Sequence, residues 1–138
     1  MGMIADLELA VHLVGHHVEQ AASDVGVTHA EAHVLAHLNR TAELTIGELQ
    51  HASGLKRSTL TNVLDRLEER GFVERRPNAD DRRSTVVSLS RAGASAAGHV
   101  SETLEQLERA LRRRVSARDL AGVRAVAAAL AEMTADRR

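Results

Sequence analysis

Apolar residues recur every three or four positions along most of this chain, which is the spacing of one face of an α-helix. Leu9, Leu13, Val14, Val18, Ala21 and Ala22 place a first helix over about 5–24, ended by Gly26. Thr28-His-Ala-Glu31 then reads as a capping box, in which the Thr hydroxyl serves the third helical N–H and the Glu reaches back to the cap. A second helix follows over about 29–40, with Ala30, Val34, Leu35 and Leu38 facing inward. Thr45-Ile-Gly-Glu48 is another capping box and opens a short helix to about Ser53, after which Gly54 supplies a turn. Leu60, Val63, Leu64 and Leu67 define the apolar face of a helix over about 56–70, stopped by Gly71.

The period then changes from 3.6 to 2. Phe72 to Arg76 reads as a short strand, and Thr85 to Leu89 as a returning one. The polar, turn-rich stretch from Pro77 to Arg83 joins them as a β-hairpin with a basic tip. Helical spacing resumes with Val100, Leu104, Leu107, Leu111 and Val115, giving a long helix over about 91–114. Ser116-Ala-Arg-Asp119 caps a last helix, about 117–135, carrying Leu120, Val123, Ala127, Leu130 and Met133.

Composition sharpens this mainly helical picture. The chain has 138 residues, one ordinary domain or one protomer of an oligomer. Phe72 is the only aromatic residue, so the core is built from Leu, Val and Ala, and Pro77 is the only proline, leaving long helices unbroken. There is no cysteine, which excludes disulfide, zinc-ribbon, iron–sulfur and thiol-redox chemistry. No apolar run is long enough to span a bilayer, and the first residues are acidic (Asp6, Glu8) where a signal peptide is basic. The expectation is a cytoplasmic protein without a membrane partner.

The net charge of −1 hides an uneven distribution. Residues 56–91 hold nine basic and six acidic residues, a net of +3 within an acidic remainder. That basic stretch coincides with short helix, Gly turn, longer helix and hairpin, the order of a winged helix-turn-helix. The longer helix has small or polar residues on the side opposite its leucines. Lys56, Arg57, Ser58, Thr59, Thr61, Asn62 and Arg66 are the candidate DNA-contacting residues there. Ser and Thr approach a base edge closely, Asn pairs with adenine and Arg with guanine. Arg82 and Arg83 at the hairpin tip suit the adjacent minor groove, whose narrow A·T tracts attract guanidinium.

Leu67-Glu-Glu-Arg-Gly-Phe-Val-Glu-Arg75, Asp81-Arg-Arg83, Val87-Ser-Leu-Ser90 and Gly93 stand in one ordered set, and Thr28 with Val34, Leu35 and Leu38 precedes them. In these features the sequence resembles the MarR family of multiple-antibiotic-resistance regulators, with Ser90 where Thr is usual. The resemblance implies a single MarR-like protomer over 1–138, with a DNA-binding lobe over 28–90. It implies a helical dimerisation region built from the N- and C-terminal helices, 5–24 and 91–135. It also implies a homodimer on a pseudo-palindromic double-stranded DNA operator, with Arg83 as the wing-tip arginine and Asp81 as the acid that orients the wing. Repression relieved by a small-molecule effector, bound between dimer region and DNA-binding lobe, is the family's habit.

Eight histidines remain to be placed. His12, His16 and His17 lie on the first helix, and His29, His33 and His37 share one face of the second. His12, His16, His33 and His37 are candidates for a ligand or metal pocket, and a metal- or haem-responsive regulator using them is the alternative function. The competing reading is solvated or boundary histidines, and no metal or cofactor is assigned. Catalysis is not expected. His-Glu-x-x-His is absent, His29-Ala-Glu-Ala-His33 displaces the Glu, and no Gly-rich phosphate loop occurs.

Overall fold

A computed structural model describes residues 2–137. The elements run α1 (Met3–Asp24), α2 (His29–Arg40), β1 (Glu43–Thr45), α3 (Ile46–Ser53), α4 (Arg57–Glu69), β2 (Val73–Pro77), β3 (Thr85–Leu89), α5 (Arg91–Arg112) and α6 (Ala117–Ala135). The expected helices and hairpin are all present, with boundaries moved by one or two residues at most ends.

The wing gains a strand. β1 pairs antiparallel with β3, Leu44 opposite Val87, so the sheet has three strands in the order β1-β3-β2. Three residues with a single apolar side chain between them carry no period, and Thr45 doubles as the cap of α3, which is how the sequence presented it. In the hairpin, Val73 lies opposite Leu89 and Pro77 opposite Thr85.

The chain divides after Leu104 into two units. In the first, α2 is buried on two faces. Val34, Leu35 and Leu38 join Leu49 of α3, the α4 leucines, Val73, Val87, Ala96 and Ala97 in the main core. Ala32 and Ala36 turn instead toward Val18, Ala21 and Ala22 of α1 and Val100 of α5. Alanines here let helix backbones approach, and an alanine face carries too little hydrophobic contrast to be read from periodicity.

Two of the three expected capping boxes close in full. Thr45 Oγ1 accepts from the Glu48 amide and Glu48 accepts from the Thr45 amide, both at 3.1 Å. The Ser116–Asp119 pair repeats this at 3.1 and 2.9 Å. At α2 only half forms: Thr28 Oγ1 accepts from the Glu31 amide at 3.2 Å, but the Glu31 carboxylate turns inward, away from the cap.

Ser90 and Gly93 set the crossing of α5 over the start of the wing. The Ser90 amide donates to Phe72 O at 3.0 Å, the Ser90 hydroxyl donates to Gly71 O, and the Gly93 amide donates to Ser90 Oγ. A Cβ on Gly93 would overlap the Phe72 carbonyl oxygen, a backbone atom that has nowhere to go.

The second unit, from Glu105 onward, holds the end of α5 and all of α6. No residue of α6 is buried, and Val123, Leu130 and Met133 lie open. On α1, likewise, Val18, Ala21 and Ala22 are buried while Met3, Ile4, Leu9, Val11, Leu13 and Val14 are exposed. The apolar stripe expected along the first helix therefore meets a partner within the chain only in its last turns.

Gly93→Ala is expected to destabilise the fold by about 3 kcal/mol, since overpacking against rigid backbone cannot relax. Gly98→Ala, further along α5 with nothing within 4 Å of the new methyl, is expected to be neutral or to stabilise by up to about 1 kcal/mol. Denaturant unfolding of both variants checks this, and equal effects would refute the crossing argument.

Candidate nucleic-acid interface

α3, Gly54 and α4 make the helix-turn-helix. Gly54 takes φ +70° and its amide closes onto Gln50 O, which ends α3 three residues before α4 begins. α4 then buries Leu60, Val63, Leu64 and Leu67 completely. Helical periodicity leaves its other face outward, and Arg57, Ser58, Thr59, Thr61, Asn62 and Arg66 are all exposed there, with Lys56 as the N-cap residue. The Thr61 hydroxyl donates to Arg57 O at 2.9 Å, leaving its methyl and lone pairs for an outside partner.

The wing tip is built by its own polar side chains. Asp81 Oδ1 accepts from the Arg83 amide at 3.0 Å, and Asp81 O accepts from the Ser84 amide at 3.0 Å. Asn78 Oδ1 accepts from the Asp80 amide, and Asn78 Nδ2 donates to Ser84 Oγ. Asp81 thus fixes the backbone on which Arg83 is displayed, and the Arg82 and Arg83 side chains extend into solvent.

The structure sorts the basic residues into two sets that the sequence presents as one. Arg75 bridges β2 to α4, with Nε 3.0 Å from Glu68 Oε2 and Nη2 2.8 Å from Asp65 Oδ1. Hydrogen bonding from Arg75 holds the Glu68 carboxyl below its usual range, and Glu68 and Asp65 in turn hold the Arg75 guanidinium charged more firmly than usual. Arg76 reaches Glu43 across the sheet. Arg70 donates to Gly26 O and stacks its guanidinium 4.8 Å from the Phe72 ring centre. Arg66 lies 3.6 Å and Arg70 4.0 Å from the Glu31 carboxylate. Among the described basic residues over 56–91, the side chains of Lys56, Arg57, Arg82, Arg83 and Arg91 have no such partner and remain available to an anion.

Glu31 is the residue that sequence reasoning placed wrongly. It is 3% exposed, the only buried charged side chain among the described residues, and its Oε2 accepts no hydrogen bond. Two guanidinium groups, from α4 and from its C-cap residue, offer a carboxylate more than one backbone N–H at a helix cap does. The available signal was the i, i+4 spacing of Arg66 and Arg70, which puts both on one side of α4.

The four candidate pocket histidines do not gather in one place. His12 and His16 line a depression with His29, whereas His33 and His37 form a separate edge-to-face pair with ring centres 4.7 Å apart. His33 Nε2 sits 3.0 Å from Ser53 O, at the end of α3. His99 pairs with Asp24 at 3.0 Å. Burial, reinforced by His33 and Arg40, holds His37 below the usual imidazole value.

The family model described as MarR family matches residues 27–85, from the approach to α2 to the first residue of β3. An uncharacterised HTH-type transcriptional regulator, YwhA of Bacillus subtilis, is 30% identical over 115 residues, covering 83% of each chain. The multiple antibiotic resistance protein MarR of Escherichia coli is 32% identical over 96 residues, 67% of each chain. The chain belongs to the MarR family. It is a DNA-binding transcriptional regulator and not an enzyme. A mutant of E. coli MarR solved in complex with operator DNA superposes with a TM-score of 0.68 at 26% identity, over 92% of this chain and 94% of that one. NadR, solved with 4-hydroxyphenylacetate, shares the fold, with a TM-score of 0.81 at 19% identity over 95% and 93% of the two chains. The segment matched by the family model runs from the half-formed cap through the helix-turn-helix to the wing tip, and the two relatives extend the likeness over two thirds or more of the chain.

Because His37 is harder to protonate when folded, the unfolded chain binds the extra proton first. Stability from this group is therefore complete above about pH 6.5, the ordinary imidazole value, and is lost as pH falls through it. His37→Gln is expected to flatten the stability profile between about pH 7 and pH 5. Chemical unfolding across that window measures it, and an unchanged slope would contradict the assignment.

Proposed function

We propose that this MarR-family regulator is a homodimeric repressor of a pseudo-palindromic operator. Each protomer lays α4 in a major groove and its wing tip in the flanking minor groove. A small-molecule effector, of the kind NadR was solved with, relieves repression. The observation that carries the DNA reading is the sorting of the cations over 56–91: those with partners stand at the joints between α4, the sheet and α2, and those without stand at the start of α4, at the wing tip and, as Arg91, at the start of α5. Lys56, Arg57, Ser58, Thr59, Thr61 and Asn62 read or grip the major groove. Arg82 and Arg83, on the backbone that Asp81 orients, supply minor-groove and phosphate charge. Arg66 shares its charge with Glu31 and contributes less to DNA than its exposure suggests.

The open apolar residues of α1 and of α6 support the dimer. Two helices of a folded chain that expose this many large side chains are usually covered by another surface, and a second copy, related by two-fold symmetry, also supplies the second recognition helix that a palindrome needs.

Binding to operator and to scrambled duplex at several salt concentrations tests the division of labour. Arg83→Ala should weaken both together and reduce the salt slope by about 1–2 charges per dimer. Arg66→Ala should reduce the slope less. Asn62→Ala should instead narrow the gap between operator and scrambled DNA by roughly 1–3 kcal/mol for each base pair it no longer reads. An Arg83→Ala that costs only specificity would refute the groove assignment.

The dimer has its own test. Val123→Glu with Leu130→Glu alters two side chains that the protomer does not bury, so the fold should persist while sedimentation moves to the monomer and operator affinity collapses. A dimer of unchanged stability would show that α6 is not the interface.

A further inference from the structure

Three histidines and a glutamate line one depression between α1 and the start of α2. His12 and His16 lie one turn apart on α1, their rings edge to face at 89° and their Nε2 atoms 3.3 Å apart. At that distance the two Nε2 atoms are hydrogen-bond partners. Two imidazole nitrogens on a tetrahedral ion at about 2.0–2.1 Å would stand about 3.4 Å apart. The pair is therefore already spaced as two ligands of such an ion, whereas square-planar neighbours would need about 2.8 Å.

A third imidazole arrives from another element. His29 is the first residue of α2, and its Cε1 lies 3.6 Å from where a Cβ on Gly15 would stand. The missing side chain at Gly15, which directly precedes His16, leaves space for that ring beside α1. Glu19, three residues beyond His16, lines the same depression of about 310 Å³. Among the described residues, no three His, Asp or Glu side chains are yet gathered at coordinating positions. His12, His16, Glu19 and His29 are all exposed, so staggered rotamers remain open to the third and fourth ligands at little cost.

We infer that His12, His16 and His29, with Glu19 as fourth ligand, form a site for a tetrahedral divalent transition-metal ion, Zn²⁺ foremost and Co²⁺ as its visible counterpart. The ion takes the place of the Nε2 proton shared by His12 and His16, and fastens α1 to the first turn of α2. The other one-turn pair, His33 and His37, is not equivalent, because His33 Nε2 is already engaged by the Ser53 carbonyl. The site goes beyond the regulatory reading and does not depend on which residues touch DNA.

Titration of tag-free protein with Co²⁺, followed by its visible absorption and by displacement with Zn²⁺, tests the assignment. One ion per chain is expected, with the intense absorption of tetrahedral nitrogen and oxygen ligation. His12→Gln and His16→Gln should each weaken binding at least tenfold. His29→Gln should weaken it and change the spectrum, and the double variant His33→Gln, His37→Gln should bind as the wild type does. At a fixed excess of Zn²⁺ the Tm of the wild type and of that double variant should rise, and that of His12→Gln should rise less. All these variants should share the metal-free Tm apart from the contribution of His37, which separates lost ligation from lost fold. No binding by the wild type, full affinity in His12→Gln, or loss confined to the His33, His37 variant would overturn the site.

Discussion

The outward face of the helix-turn-helix depends on how completely α4 buries its other side. Leu60, Val63, Leu64 and Leu67 are sealed from solvent, and at about 1.5–3 kcal/mol for each fully buried aliphatic side chain that stripe fixes the rotation of the helix. With the rotation fixed, the 3.6-residue period leaves no freedom over which residues face out. Arg57, Ser58, Asn62 and Arg66 are exposed because the leucines are not. The sheet, α2 and α3 serve as the wall against which that stripe closes.

A second layer of control is electrostatic. Glu31, sunk in α2, and Asp65 and Glu68, on α4 itself, occupy the guanidinium groups of Arg66, Arg70 and Arg75. Each of these pairings crosses between elements or braces α4 against the sheet, so much of the local basic excess is spent on internal geometry. The buried carboxylate is the least forgiving of them. Removing both guanidinium partners would leave an uncompensated charge in the interior, a far larger penalty than the pair's own net contribution. A count of positive residues over 56–91 therefore overstates the charge left to an outside partner.

The wing follows a different logic. Its tip has no core to organise it, so short side chains do so instead: Asn78, Asp81 and Ser84 bond to nearby amides and to one another. Its base is anchored where α5 crosses Phe72 with only Gly93 between the backbones. The tip can thus vary in side chain without disturbing the sheet, while the base tolerates no added atom.

The sequence by itself determined the helices, the hairpin, two full capping boxes and which face of α4 is apolar. These are local matters of period, cap chemistry and glycine placement within a few residues, and the ordered set from Leu67 to Gly93 carried the family. It did not reveal β1, whose three residues become a strand only because β3 offers an unpaired edge. Nor did it reveal the Ala32 and Ala36 face of α2, since alanine marks a close helix approach only when the other helix is in view. The histidines show the same limit: on one helix wheel His29, His33 and His37 look like a set, yet the neighbours of α2 send His29 toward Gly15 of α1 and His33 toward Ser53 of α3. The division of arginines into structural and available ones was likewise closed to the sequence. A guanidinium's role depends on which carboxylate lies within 4 Å, and for Glu31 that partner stands some 35 to 39 residues away along the chain.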